Sequence, residues 1–312
     1  VSSPEIKLEG NIMARNISTQ DNEILLSNTG WNIPNQFSTL DLETEKMTKN
    51  PFEIVYNMPF LKNIVAEEIE VRSHDGTMVP LSIIYDKTKV KRDGSDIGYM
   101  FGYGSYGASL TPNFRNEFIP FLTNGVVVAI AHVRGGGEKG SDWHLGGKKT
   151  TKPNTWKDFN ACAEYLIQNK YVSDKKLAIS GGSAGGILIG RAVTERPDLY
   201  RVAIPTVGIM NALRMEFDPN GPANIAEFGT IKDETEFKAL LEMDSYHQIK
   251  KGVKYPALLV TTGFNDPRVS SYNPAKFAAK MQNENDSKNP VFLDVNYDAG
   301  HFGGSTRDEY FK

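Results

Sequence analysis

From about Ile64 onward, short apolar runs alternate with longer stretches in which apolar positions recur at helical spacing. Such alternation predicts β-α-β units, and therefore an α/β fold with a doubly wound, mostly parallel sheet and helices on both faces. The predicted strands are Ile97–Tyr103, Val126–His132, Leu177–Ser180, Val202–Val207, Ala257–Thr262 and Val291–Asn296, and the predicted helices lie near Asn113–Thr123, Thr155–Asn169, Gly185–Glu195, Glu234–Met243 and Asn273–Gln282.

The first 64 residues have a different pattern of apolar and polar positions. Short alternating stretches, Asn22–Ser27 and Phe37–Asp41, are separated by turns rich in Asn, Thr, Ser and Pro, which predicts a small antiparallel β segment. An isolated meander of this length buries little apolar surface, so we expect it to pack against a neighbour. The sequence therefore predicts a β-meander over residues 1–64 and an α/β domain over residues 65–312.

A β-hairpin is predicted where the α/β domain begins. Glu68–Arg72 and Val79–Asp86 flank a segment that contains Asp75-Gly76, a dipeptide that favours a tight hairpin turn. We expect this hairpin to add antiparallel strands at one edge of the sheet.

Composition and charge exclude several classes of function. The 312 residues include 35 Lys and Arg against 38 Asp and Glu, a formal net charge of −3 without strong clustering, so no nucleic-acid or anionic-membrane partner is expected. The apolar runs are too short to span a membrane. The single cysteine, Cys162, excludes an internal disulfide, and no histidines and carboxylates share metal-ligand spacing. We therefore expect neither a metal nor a cofactor.

The most informative motif is Gly181-Gly182-Ser183-Ala184-Gly185, which lies between a predicted strand and a predicted helix. It matches the G-x-S-x-G nucleophile elbow of α/β-hydrolases. Small residues permit the sharp turn, which would present the Ser183 hydroxyl and direct the amide of Ala184 towards an oxyanion. The alternative is a glycine-rich turn with an N-capping serine.

A nucleophilic serine needs a histidine base and an acid that orients it, and in this fold the chain order is Ser, acid, His. Only His247 and His301 follow Ser183. His301 lies in a glycine-flanked loop after the last predicted strand, whereas His247 is expected at the surface. Asp266 follows the strand before that, and is favoured as the acid over Asp294, which lies inside a strand, and over Asp298, which would have to fold back on its neighbour.

With these residues identified, the chain resembles the prolyl oligopeptidase family of serine peptidases, in its catalytic domain. The resemblance implies Ser183 as nucleophile, Asp266 as orienting acid and His301 as base. It also implies that Tyr103 joins the Ala184 amide in an oxyanion hole and that Arg268 binds a substrate carbonyl. The matching stretches, in the family's order and spacing, are Tyr103-Gly104-Ser105-Tyr106-Gly107, Arg134-Gly135-Gly136-Gly137-Glu138 with Trp143-His144, Gly181-Gly182-Ser183-Ala184-Gly185-Gly186, Asn265-Asp266-Pro267-Arg268-Val269 and Gly300-His301.

The residue preference at the cleaved bond stays open. Family members that cleave after proline use a tryptophan near the position of Asn224, and this chain has none there. Tyr106 and Phe228 could still line an apolar pocket with Asn224, which would suit proline. A second alternative is that acidic residues of the same segment select a basic side chain, and a third is that they are solvated loop charges; these residues are Glu216, Asp218 and Glu227.

The resemblance also implies a longer protein. In the family a β-propeller precedes the hydrolase and admits only short peptides; here we expect only the end of it, and a shortened helix after His301. We therefore predict a serine peptidase acting on short peptides, with two alternatives: a carboxylesterase of the same fold, or an inactive fragment without its propeller gate. The expected compartment is cytoplasmic or periplasmic, although the N-terminus does not inform this choice, and the oligomeric state is open.

Overall fold

The computed structural model describes residues 8–18, 22–50 and 57–302. Among these residues, twelve strands form two sheets. The strands are β1 (Asn11–Ser18), β2 (Glu23–Thr29), β3 (Gln36–Asp41), β4 (Met47–Lys49), β5 (Ile64–Arg72), β6 (Met78–Asp86), β7 (Gly98–Gly102), β8 (Val127–Ala131), β9 (Leu177–Gly182), β10 (Val202–Thr206), β11 (Ala257–Gly263) and β12 (Val291–Asn296). The α-helices are α1 (Ile119–Thr123), α2 (Ser141–Leu145), α3 (Pro153–Gln168), α4 (Gly185–Glu195), α5 (Ala212–Met215), α6 (Ile225–Phe228), α7 (Glu234–Met243), α8 (Ser245–Gln248) and α9 (Tyr272–Glu284).

The larger sheet has the strand order β12-β11-β10-β9-β7-β8-β6-β5, and the smaller one the antiparallel order β1-β2-β3-β4. In the larger sheet β8, β7, β9, β10, β11 and β12 pair in parallel, which confirms the predicted fold class. Because parallel strands end at the same edge, the segments that follow β7, β9, β11 and β12 emerge together. Tyr103, Ser183, Asp266 and His301 lie on these segments, whereas Asn224 and Phe228 follow β10.

The strand predictions agree with the observed bounds to within two residues, except that the first hairpin strand, predicted from Glu68, begins at Ile64. The helix predicted over Asn113–Thr123 was too long: only Ile119–Thr123 is α-helical, after a 3-10 turn at Asn116–Phe118. Pro120 explains the late start, because proline favours the first turn of a helix. Sequence reasoning missed the one-turn helices α2, α5, α6 and α8 because four or five residues cannot display a helical period.

The chain divides into two compact units. The first unit contains the 64 residues predicted as a separate segment, and two further segments from later in the chain. The buried side chains of this unit include Trp31, Leu40 and Phe118. The domain boundary at residue 64 stays a prediction. The first unit comprises residues 1–67, 84–90 and 111–126, and the second comprises residues 68–83, 91–110 and 127–312.

A buried guanidinium group fixes the start of the Gly135–Gly137 segment. Arg134 Nε and Nη2 donate to the two carboxylate oxygens of Asp158 at 2.8 and 2.6 Å, and Nη1 donates to Asp75 at 2.6 Å. Asp158 is fully buried, whereas the side chain of Asp75 is 37% exposed. The hydrogen bond from Arg134 holds the pKa of Asp75 well below its usual range. The hairpin turn between β5 and β6 is thereby tied to the segment after β8.

The turn between β9 and α4 requires close backbone approach. Ser183 has φ +55°, and its amide donates to Thr206 O at 2.9 Å. The Ser183 carbonyl in turn accepts from the amides of Gly186 and Ile209, each at 2.9 Å. A Cβ at Gly186 would lie 2.5 Å from Gly208 Cα and 2.6 Å from the Ile209 nitrogen. Only glycine therefore lets α4 approach the segment after β10 this closely.

The Arg134 network predicts that its two carboxylates contribute unequally to stability. Asp158→Asn leaves a buried cation poorly paired and should lower the free energy of unfolding by about 3 kcal/mol or more. Asp75→Asn, the matched change at a half-exposed partner, should cost about 1 kcal/mol or less. Urea unfolding of both variants measures the difference. Equal losses would contradict the role assigned to burial.

The close approach at Gly186 predicts that an added methyl group is not tolerated. Gly186→Ala should destabilise the protein by about 1–3 kcal/mol, because the methyl group meets backbone that has little room to move. Gly300→Ala is the control, since the nearest atom to its Cβ position lies 3.7 Å away. The measurement is urea unfolding of both variants, and a Gly186→Ala protein as stable as its control would refute the steric argument.

Candidate active site

Ser183, Asp266 and His301 come together at the carboxyl edge of the larger sheet. Ser183 follows β9, Asp266 follows β11 and His301 follows β12. The Ser183 Oγ lies 3.0 Å from His301 Nε2, and His301 Nδ1 lies 2.7 Å from Asp266 Oδ2. His301 and Asp266 are each 8% exposed. The three residues chosen from the sequence thus form one continuous hydrogen-bonded chain.

The surroundings of Asp266 keep it ionised. Burial raises its pKa, but this is outweighed by hydrogen bonds from His301 and from the amides of Val269 and Arg268, so that the net pKa lies below its usual value. The two amides donate to Oδ1 at 3.0 and 2.8 Å. An ionised Asp266 can only accept, so Nδ1 of His301 donates to it. In a neutral imidazole this leaves Nε2 free to accept from the Ser183 hydroxyl.

The residues that the sequence weighed as alternatives lie elsewhere. His247 belongs to α8, where its Nδ1 lies 2.9 Å from Asp244. Asp294 lies within β12, and Asp298 is exposed in the following turn. None of the three forms a hydrogen bond to Ser183 or His301 among the described residues.

Two neutral donors flank Ser183. Ala184 caps the N-terminus of α4 and is 1% exposed; within the described chain, no backbone oxygen accepts from its amide. Tyr103 follows β7, and its Cδ2 lies 3.4 Å from the Cβ position at Gly185. Burial, with the nearby negative charge of Glu227, raises the pKa of Tyr103. The phenol therefore stays protonated and able to donate.

A cleft of ≈ 550 Å³ opens beside Ser183. Arg268 lines this cleft and is exposed. Its guanidinium carbon lies 4.9 Å from the centroid of the Phe302 ring. Within the described part of the chain, Arg268 forms no ion pair. The residues that line the cleft are Tyr103, Tyr106, Ser183, Ile209, Asn220, Ala223, Asn224, Pro267, Arg268 and Val269.

The expectation that Phe228 lines this cleft is corrected by the structure. Phe228 is fully buried, and its ring contacts that of Tyr106 edge to face at 5.4 Å between centroids. It therefore supports Tyr106 from behind. Tyr106 and Asn224 do line the cleft, and the Tyr106 hydroxyl donates to Asn224 Oδ1 at 2.7 Å.

The three acidic residues of the same segment are neither solvated nor directed into the cleft. Glu227 is 4% exposed and accepts from the Tyr106 amide and from His144 Nε2, each at 2.7 Å. Asp218 accepts from the Tyr272 hydroxyl, and Glu216 accepts from Thr230. Sequence reasoning gave His144 no role, although its motif marks it as part of the family resemblance.

A second cleft of ≈ 590 Å³ contains none of Ser183, Asp266 and His301, so volume alone does not mark the site. Among the described residues, no group of His, Cys, Asp and Glu has the arrangement of a metal site. The helices of the described chain include none that is both long and apolar enough to cross a membrane. The expected shortened C-terminal helix falls on residues 303–312, outside the described residues.

Comparisons with known proteins identify the family to which the chain belongs. A sequence profile described as "Prolyl oligopeptidase family" matches residues 112–312. The "Prolyl endopeptidase" of Elizabethkingia meningoseptica is 36% identical over 260 residues, which cover 82% of this chain and 37% of that protein. A structure from a study of two prolyl endopeptidases superposes with a TM-score of 0.90 at 33% identity, covering 96% of this chain and 44% of that one.

A second solved structure is also similar to this chain. Oligopeptidase B from Leishmania major superposes with a TM-score of 0.89 at 28% identity, covering 98% of this chain and 43% of that one. The chain spans about two fifths of the length of these relatives. With a matching profile over more than half of its residues, and with more than 30% identity over four fifths of its length, the chain belongs to the prolyl oligopeptidase family of serine peptidases.

Proposed function

We propose that the chain is the catalytic domain of a serine peptidase that cleaves peptide bonds by acyl transfer. The observation that carries this proposal is the hydrogen-bonded chain from Ser183 Oγ through His301 to Asp266, at 3.0 and 2.7 Å. Ser183 is the proposed nucleophile, His301 the general base and Asp266 the orienting acid. Family membership supports the same assignment.

The proposed reaction has two halves. Ser183 Oγ attacks the scissile carbonyl carbon while its proton passes to His301 Nε2, and the carbonyl oxygen becomes an oxyanion that accepts from the Tyr103 hydroxyl and the Ala184 amide. His301 then gives its proton to the leaving amine, and an acyl-enzyme remains. Water attacks this ester and loses a proton to His301. The tetrahedral species then collapses to release the acid while His301 returns this proton to Ser183 Oγ.

Arg268 supports a peptide rather than a simple ester as substrate. Its guanidinium group stands at the wall of the cleft without an ion-pair partner among the described residues, and its forked donors suit a backbone carbonyl. A small acyl ester carries no second carbonyl for it to bind. No observation favours the carboxylesterase alternative over the peptidase.

The cleft further supports a preference for uncharged side chains before the cleaved bond. Among the described residues that line it, Arg268 is the one with a formal charge. Glu227, the acidic residue nearest to Tyr106, has both carboxylate oxygens engaged. A basic side chain would therefore find no free carboxylate on the described lining, whereas proline or alanine can lie against Tyr106, Ile209 and Val269. We propose cleavage after compact neutral residues, proline included.

The first test concerns the proposed triad. Ser183→Ala should lower peptide hydrolysis at least about 10³-fold. Asp266→Asn should lower it by about 10³-fold or more, because an amide favours the wrong tautomer of His301. Asp298→Asn is the matched control, and should stay within about twofold of the parent. Hydrolysis and fluorophosphonate labelling are measured on protein shown to be folded by circular dichroism. Substantial turnover by Ser183→Ala would refute the assignment.

The second test concerns the residue preference. A mixed peptide library is digested with the parent chain and with Ser183→Ala, and the cut sites are read by mass spectrometry. Cuts that depend on Ser183 should follow proline and other small neutral residues, and cuts after Arg or Lys should be at least about tenfold slower, because a buried cation without a partner is costly. Predominant cleavage after basic residues would refute the neutral cleft. No cleavage by folded protein would support the inactive fragment instead.

A further inference from the structure

Lys152 is a fully buried lysine that the proposed mechanism does not use. It caps the N-terminus of α3 and has no exposed surface. Within the described residues, no carboxylate lies at ion-pair distance from its Nζ. Taking an ammonium group out of water costs several kcal/mol unless other contacts offset the loss. Burial of a lysine here is therefore unfavourable unless specific contacts offset the cost, whereas burial of a leucine or methionine would carry no such cost.

The contacts that offset this cost all belong to the active-site wall. Lys152 Nζ donates to the carbonyl oxygen of Gly104 and to Ser105 Oγ, the latter at 2.7 Å. It also lies 5.4 Å from the centroid of the Phe228 ring, which supports Tyr106. Gly104 and Ser105 are the two residues that join Tyr103 to Tyr106. The ammonium group thus binds the link between the proposed oxyanion donor and the cleft wall.

The backbone of this link adopts a conformation that its residue types do not favour on their own. Tyr106 has φ +60°, and its neighbours Gly104 and Gly107 have φ +67° and +63°. A left-handed conformation is unfavourable for tyrosine and persists only where the surroundings impose it. Glu227 accepts from the Tyr106 amide on one side of the link, and Lys152 donates to its other end. The loop is therefore held between the buried side chains of Glu227 and Lys152.

The ionisation of Lys152 is consistent with this arrangement. Burial lowers its pKa to about 7, against the opposing attraction of Glu227. Both the ammonium and the neutral amine carry at least two N–H groups, so either form can donate to Gly104 and Ser105. The hydrogen bonds to the loop therefore do not depend on the charge.

We propose that Lys152 is a positioning residue of the active site: by donating to Gly104 O and Ser105 Oγ, it fixes the loop that carries the Tyr103 hydroxyl and the Tyr106 side chain. The inference rests on the proposed function, because it concerns the placement of the proposed oxyanion donor. A displacement of about 1 Å in such a group can cost about a hundredfold in rate. Lys152 acts through Tyr103 and does not touch the substrate.

The test compares Lys152→Met with the parent chain in turnover per active site. Fluorophosphonate titration counts the reactive sites in each preparation, and kcat and KM for a peptide substrate are expressed per titrated site. Lys152→Met should lower kcat at least about tenfold and change KM less than about threefold, because an oxyanion donor acts chiefly in the transition state. Lys157→Met, a half-buried lysine on the same helix, is the control and should match the parent.

A second variant covers the possibility that Lys152→Met folds poorly. Ser105→Ala removes one acceptor and keeps the ammonium group, so it should lower kcat per site by at least about threefold, with little further loss in the double variant if the two residues act through one contact. A merely structural lysine would reduce the number of titrated sites but not the turnover of each, and that outcome overturns the inference. A parent chain that neither reacts with the probe nor hydrolyses peptide would overturn the proposed function, and this inference with it.

Discussion

The left-handed backbone of Ser183 is the constraint on which the rest of the site depends. The turn joins β9 to α4, and it requires Gly182 to leave room for Thr206 at the end of β10 and Gly186 to leave room for the segment after β10. This turn brings the Ser183 hydroxyl out of the sheet and places the Ala184 amide beside it. The other residues of the site are positioned by the larger sheet, since Tyr103, Asp266 and His301 follow parallel strands that end at the same edge. The Ser183 hydroxyl therefore lies within hydrogen-bond distance of His301.

Much of this arrangement could be predicted from the sequence, and the parts that could not share a physical reason. Strands such as Val127–Ala131 are continuous apolar runs, and the small residues around Ser183 predict a sharp turn. Phe228 was misjudged because its burial is decided by contact with Tyr106, which is distant in sequence. The environment of Glu227 was predicted wrongly for the same reason. Its hydrogen-bond partners are the Tyr106 amide and His144, which are distant in sequence, so no local pattern predicts either contact.

Apart from Arg268, the charged side chains described near the cleft do not line it. Glu227 and Lys152 are buried on the far side of the Tyr103–Tyr106 loop, and Arg134 and Asp158 pair beneath the neighbouring segment. In a medium of low polarisability such groups interact strongly with their partners and resist displacement. The cleft wall is thereby made rigid by ionic groups and yet presents mainly uncharged side chains. This separation reconciles a segment rich in acidic residues with the proposed neutral preference.

The loop between β7 and α1 joins two properties that are often treated separately. Tyr103, the proposed oxyanion donor, and Tyr106, which lines the cleft, are three residues apart on one strained stretch of backbone. Any change that moves one therefore tends to move the other, so rate and residue preference are coupled through the same peptide units. Because Lys152 and Glu227 hold the two ends of this stretch from α3 and α6, the placement of those helices sets both properties at once. The site is consequently as rigid as the buried contacts behind it, although most of its residues lie on loops.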